Sequence, residues 1–471
     1  MEDYGLFTLI GGVVSMLSFF TNSLVSSTQR FLSISQGRGD LERLREVFSN
    51  SLLLHIFLGL LVAILLEALI PLLFHGFLNV PAGRESAAIV VYQQVISMVY
   101  ISFIAAPYRA LLVSCENIVY TSIVDVLDGV LKVVFVLLLP FVPLDKLIAY
   151  GWVLLLINLF NLGAFSIYSH VRYTECVFPR LRHFRLSYVK ELSAYTGWVV
   201  YSTLCIALRT QGLAVVLNRG LGTAINAAYG IGSQISGMVS FISASFNNAI
   251  APQLMAAEGG GNREHMWLLA KVESKFSFLL LAMVGIPTMF EMRSLLEIWL
   301  VEVPPATMLF GCMFLSMQIV DMLTTGLGLA NRAIGRIGLY TMIISTSKLL
   351  VLPLGWFALD AGMPLWVIAA MMIGVEVFCM LLRIPLLLGE RGFRAGEYCR
   401  DVLLRTLPPV VMGVAVCSAI CVGLDFPFRF LLTYLVSIPL FAGVAYRWSL
   451  TEAERGKVEE IWRKIWLKLR R

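Results

Sequence analysis

Apolar runs of about 20 residues, the length a helix needs to cross roughly 30 Å of hydrocarbon, recur from one end of this chain to the other. Thirteen can be delimited. They run from Gly5 to Ser27, Leu52 to Phe77, Ala87 to Leu111, Ile118 to Pro140, Leu147 to Tyr168, Trp198 to Leu217 and Ala224 to Ile250. The rest run from Leu268 to Phe290, Met308 to Ala330, Leu339 to Leu359, Leu365 to Leu388, Leu407 to Leu424 and Phe428 to Tyr446. None of the polar connections is long enough to fold as a domain of its own. The pattern predicts an all-α polytopic membrane protein with about thirteen spans, working inside the bilayer.

Basic loops resist translocation, so they set the orientation. Arg30, Arg38, Arg43 and Arg45 follow the first run, Arg172, Arg180, Arg182, Arg185 and Lys190 the fifth, and Arg391, Arg394, Arg400 and Arg405 the eleventh. Those loops are expected on the cytoplasmic side, while the intervening ones carry one cation at most. The tail is expected there too: Ile461, Trp462, Ile465, Trp466 and Leu469 recur at helical spacing against Arg463, Lys464, Lys468, Arg470 and Arg471. Such a helix suits an anionic lipid surface. Alternation then places Met1 outside, without the basic region or cleavage site of a signal peptide.

An internal repeat relates each run to the one six further on. "QRFLSISQGRGD" after the first run parallels "PQLMAAEGGGN" after the seventh, and "YTSIVDVLDGVLKVV" in the fourth parallels "YTMIISTSKLLVLPL" in the tenth. The second match aligns Asp128 with Lys348. Two matches at one offset predict lobes of six helices related by an axis along the membrane normal. The sixth run has no partner at that offset, and the missing helix is expected before Met1.

Composition agrees with a chain mostly in lipid: 58% hydrophobic and only 14% charged residues, with a mean hydropathy of +0.82. There is no GxxxxGK[ST] phosphate cradle, HExxH or CxxC, so nucleotide-driven or zinc chemistry has no visible seat, and no cofactor is expected. The eight cysteines lie in or near the runs as apolar filler. The net charge of +6 is accounted for by inner-face loops and the tail, which leaves nothing for nucleic acid.

Ionisable side chains inside apolar runs cost a few kcal/mol each and normally face protein or water. Among them are Glu67, Asp125, Asp128, Lys132, Arg209, Asp321, Lys348, Glu376 and Arg383. Lys132 lies four residues after Asp128, within pairing distance on one helix face, and both a structural ion pair and a transport role stay open. Glu67 and Arg383, near the ends of runs, are expected to snorkel. Arg209 lies mid-run with Gln211 and Asn218 following and no acid in its helix. It is expected to face an aqueous cavity rather than pair across helices, and a guanidinium there suits a phosphate. Ser233, Ser236, Gly237, Ser240, Ser243, Asn247 and Ala251 form a stripe that serves either helix packing or the lining of a sugar path.

"EDYGLFTLIGGVVSMLSFF…SSTQRFLSISQGRGD" and "LRTQGLAVVLNRGLGTAINAAYGIGSQISG…FNNAIAPQLM" resemble the polysaccharide flippases of the Wzx type, in the superfamily of lipid II flippases and multidrug and toxin extrusion antiporters. The resemblance implies two pseudo-symmetric six-helix lobes plus a C-terminal helix pair, here 1–185, 186–395 and 396–447, followed by a basic helix at 448–471. The first of the usual fourteen helices is then the one expected before Met1. It implies no enzyme but a flippase in the bacterial cytoplasmic membrane, turning undecaprenyl-diphosphate-linked oligosaccharide from the inner to the outer leaflet. By the same analogy Arg209 and Gln211 belong to the cavity and Arg30 to its mouth; Asn218 and Asn247 are further lining candidates. Asp125, Asp128, Asp321 and Lys348 are candidates, by position, for proton or sodium coupling or for gating. A drug-cation antiporter is the alternative, with Asp125 and Asp128 as its acids. A membrane-embedded glycan polymerase is disfavoured by the short outer loops.

Overall fold

The structure, a computed structural model, describes residues 21–469 apart from 73, 75–82, 144, 178–183 and 427. Among these residues every regular element is helical, as lipid demands: a helix satisfies its own backbone groups where no water can. Most of the first apolar run, part of the Arg172 to Lys190 loop and the side chains of Ile461, Trp462, Ile465, Trp466 and Leu469 lie outside the described residues.

Contacts divide the chain into two compact units, Met1–Thr203 with Met255–Asn262, and Leu204–Leu254 with Arg263–Arg471. The first contains α1 (21–37), α2 (Leu41–Ala68), α3 (Glu85–Ser114), α4 (Ile118–Leu138) and α5 (Lys146–Arg172). The longest helices, α6 (Leu186–Leu221) and α7 (Thr223–Gly259), contribute to both units. The second holds α8 (Arg263–Phe290), α9 (Met292–Trp299), α10 (Thr307–Met322), α11 (Thr325–Ile334), α12 (Ile337–Lys348), α13 (Val351–Asp360) and α14 (Leu365–Arg383). It ends with α15 (Arg405–Gly423), α16 (Arg429–Val444) and α17 (Glu452–Leu469).

Eight stretches are long and apolar enough to cross a membrane, ten if two bent pairs each count as one span. The pairs are α8 with α9, bent by 78° after Pro287, and α10 with α11, bent by 49°. Three of the thirteen expected runs are left, each with a reason. The first lies largely outside the described residues; α4 carries Asp125, Asp128 and Lys132 within two turns; α7 holds the serine and asparagine stripe.

In the first unit α3 is the most buried spanning helix: Ala88, Val91, Val95, Val99 and Phe103 follow helical spacing and face α2 and α5. In the second, Leu213 and Leu217 of α6 pack with Phe310, Met313 and Met317 of α10 and Ile368 and Met372 of α14. Apolar side chains such as Phe57, Leu137 and Leu435 remain exposed outside these cores, as helices solvated by lipid allow.

The repeat is visible as geometry within the first unit. After α1 the amides of Arg38, Gly39 and Asp40 donate to the carbonyls of Ile34, Gln36 and Ser35; after α7 those of Gly260, Gly261 and Asn262 donate to Ala256, Glu258 and Ala257. The two turns are the same turn, closed by glycines in the left-handed region, Gly39 at φ 68° and Gly261 at φ 76°. They also touch reciprocally. A Cβ on Gly37 would fall 2.0 Å from the Ala256 carbonyl oxygen, and one on Gly259 would fall 2.2 Å from that of Ile34. Only glycine permits so close a backbone crossing.

Candidate functional site

The second unit encloses a chain of five ionisable side chains from four helices. Arg209 (α6) donates from Nη1 to Glu376 Oε2 (α14) at 2.8 Å, and Lys348 Nζ (α12) lies 2.6 Å from Glu376 Oε1 and 3.1 Å from Asp321 Oδ1 (α10). Arg383 Nη2 (α14) closes on Asp321 Oδ1 at 2.6 Å. Local structure explains the assembly. Glu376 and Arg383 are seven residues apart, two helical turns, and so share a face of α14. The break between α10 and α11 leaves the Asp321 carbonyl and the Thr324 hydroxyl free to accept from Arg383 Nη1 at 3.3 and 3.1 Å.

Three cations and two carboxylates leave the cluster one formal positive charge in excess. Arg209 sits at one end with its side chain 13% exposed, against 3% for Glu376 and 9% for Lys348. Its Nε donates to nothing among the described residues. Glu376 keeps Lys348 if Arg209 leaves it, so an incoming anion can draw Arg209 away without stranding a buried carboxylate.

Several expectations need correction here. Arg209 is not unpaired: its partner Glu376 comes from a helix remote in sequence, where a search of its own helix could not find it. Gln211 and Asn218 do not join it; both are exposed, because two and nine residues along a helix turn them to the opposite face. Arg383 does not snorkel but is buried on Asp321. Lys348 and Asp321 bind each other. Asn247 donates to Glu273 Oε1 at 2.9 Å.

In the first unit, Arg109 clamps Asp125 with two hydrogen bonds of 2.9 and 2.7 Å. Asp128 takes Lys132 at 2.6 Å and Asn161 at 2.8 Å, so the i,i+4 ion pair forms. A cavity of about 370 Å³ opens between these groups, lined by Asn22, Ser102, Arg109, Lys132, Asn158 and Asn161 among others. Its lining cations Arg109 and Lys132 are each paired with a carboxylate. Arg30 is buried, its guanidinium 4.8 Å from the Phe31 ring centre and 4.5 Å from that of Tyr195.

Arg109 and Glu273 were not singled out from the sequence, although each lies within an apolar run. The i,i+4 spacing of Glu273 and Ser277 on one helix face was the available signal.

Solved structures of membrane transporters share this helical fold. A MATE protein in the straight conformation superposes with a TM-score of 0.72 at 16% identity, covering 81% of this chain and 86% of that one. An outward-facing multidrug resistance MATE family transporter of the MOP superfamily gives 0.71 at 14% identity, over 81% and 86%. A MOP superfamily transporter from Pyrococcus furiosus Vc1, described as having a binding pocket of reversed polarity that suggests a different function, gives 0.71 at 14% identity, over 80% and 85%. Residues 1–257 match the polysaccharide biosynthesis protein family, and the chain belongs to that family. No curated protein matches it.

Proposed function

We propose that this protein is a flippase that carries undecaprenyl-diphosphate-linked oligosaccharide repeat units from the inner to the outer leaflet of the bacterial cytoplasmic membrane, for O-antigen or a related surface polysaccharide. The observation that carries the reading is the excess positive charge ending at Arg209, in a chain of the polysaccharide biosynthesis family. A diphosphate competes with Glu376 for the Arg209 guanidinium, whose planar donors fit it. The sugars pass along polar lining such as the α7 stripe, while the polyprenyl tail stays in lipid. The C-terminal helix rests on the anionic inner leaflet, and a proton or sodium gradient supplies the drive.

Export of cationic drugs is the second reading, favoured by the MATE fold. It needs carboxylates free to meet a cation, whereas Asp125, Asp128, Asp321 and Glu376 each already hold one and Glu273, which holds none among the described residues, is fully buried. Deleting the gene and analysing extracted lipids by mass spectrometry separates the two. Accumulation of a polyprenyl-diphosphate-linked sugar supports the flippase; its absence together with new sensitivity to cationic drugs supports the antiporter.

A further inference from the structure

Glu273 differs from every acid in the two clusters above. It lies in α8, fully buried at 0% exposure, and no cation reaches it among the described residues. Both of its hydrogen bonds arrive at one oxygen: Asn247 Nδ2 at 2.9 Å and Ser277 Oγ at 3.0 Å donate to Oε1. Oε2 is buried with no partner.

Apart from Arg405, the charged groups around it are committed elsewhere. On its own helix Lys271 binds Asp401 and Lys275 binds Glu454. On the elements packed against α8, Asp321 holds Lys348 and Arg383, Tyr398 donates to the Leu323 carbonyl, and Arg429 holds Glu291. Tyr434 bonds Thr288, Arg293 binds Glu297 and Arg332 has partners of its own, while among the described residues the hydrogen bonds to Glu273 come from Asn247 and Ser277 and not from Arg405.

An ionised carboxylate without a cation in such a place costs far more than a neutral acid. The asymmetry fits the neutral form, with Oε1 as the carbonyl that accepts twice and Oε2 as the hydroxyl. A metal ion would need several oxygens converging on it, and Asn247 presents its NH₂ instead. Asn247 is half-buried, and Ser245 and Asn248 beside it on α7 are exposed, so one side chain separates the acid from a polar surface.

We propose that Glu273 is a proton-binding site, protonated in the conformation seen here and releasing its proton from Oε2 to water when the Asn247 face of α7 opens. The site then changes from neutral to one negative charge. Resting on the flippase reading, this makes Glu273 the group through which a proton gradient drives transport.

The test uses the purified full chain in lipid vesicles, with Glu273→Gln as an isostere. Infrared difference spectra between alkaline and acid pH should show a protonated-carboxyl C=O band in the wild type that Glu273→Gln lacks. Asn247→Leu, which removes a donor that steadies the carboxylate, should shift the midpoint of that band to higher pH. With a lipid-linked oligosaccharide as probe, an imposed pH gradient should accelerate flipping by the wild type, and Glu273→Gln should flip without that acceleration. A band unchanged in Glu273→Gln, or equal acceleration in both proteins, overturns the proposal. A band lost in the variant while the wild type moves no oligosaccharide upholds the proton site and removes the flippase reading instead.

Discussion

At the residue scale, the cluster's charge balance makes opposite demands on its members. Arg209→Ala leaves two cations against two carboxylates, so the protein should insert and melt close to the wild type while losing surface glycan export. Glycan unchanged in that mutant at native expression takes Arg209 out of the site. Glu376→Ala strands Arg209 and half of Lys348's pairing, a loss of the kind that costs about 3–5 kcal/mol when one partner of a buried pair is removed. Thermal melting in detergent checks this, and a stable Glu376→Ala contradicts the balance. Outside the spans, Asp145 caps α5 and binds Arg84. Partial burial works to raise its pKa, but the Arg84 guanidinium and the amides of Ile148 and Leu147 outweigh it and hold the carboxyl below its ordinary value. A depressed carboxylate stabilises the fold above its unfolded-state pKa, and that contribution disappears as pH falls through the folded value. Melting temperature should therefore drop on the acid side, and less steeply in Asp145→Asn; superimposable acid limbs would count against it. The individual charges were legible in the sequence, since each interrupts an apolar run. Their partners were not, except for Asp128 and Lys132, because an i,i+4 pair is local while Arg209 and Glu376 meet only through the packing of α6 with α14.

At the scale of elements, the repeat predicted from two short matches reappears as a pair of identical turns, and their glycines carry a testable symmetry. Gly37→Ala and Gly259→Ala each place a methyl inside contact distance of a carbonyl oxygen, and such overpacking costs about 1–3 kcal/mol. The two should lower the melting temperature alike, whereas Gly163→Ala, with no atom near its Cβ, should leave it unchanged. Unequal losses at positions 37 and 259 would break the equivalence. The turn was legible because glycine and a polar residue follow an apolar run twice over; the reciprocal contact was not, since nothing in either stretch says that its partner is the other. Span existence was read well from hydropathy. The bends after Pro287 and at Leu323 were not, because proline also sits inside unbroken helices here, Pro107 in α3 among them.

For the whole molecule, the class of protein was legible and the distribution of charge was not. Hydropathy, basic loops and the two resemblance blocks pointed to a multi-pass transporter fold, which the family match and the MATE structures bear out. That the Arg109–Asp125 and Lys132–Asp128 pairs of one unit balance while the cluster of the other keeps one cation in excess emerges only from three-dimensional pairing. This excess is the basis for assigning an anionic, lipid-linked substrate. The most direct measurement reconstitutes the purified chain into vesicles loaded with a polyprenyl-diphosphate-linked oligosaccharide and follows its exposure to an impermeant glycan-cleaving enzyme. The account predicts that the wild-type protein exposes the inner-leaflet pool and that Arg209→Ala does not. Equal exposure with both proteins, or none with the wild type alongside uptake of a cationic drug, would contradict it.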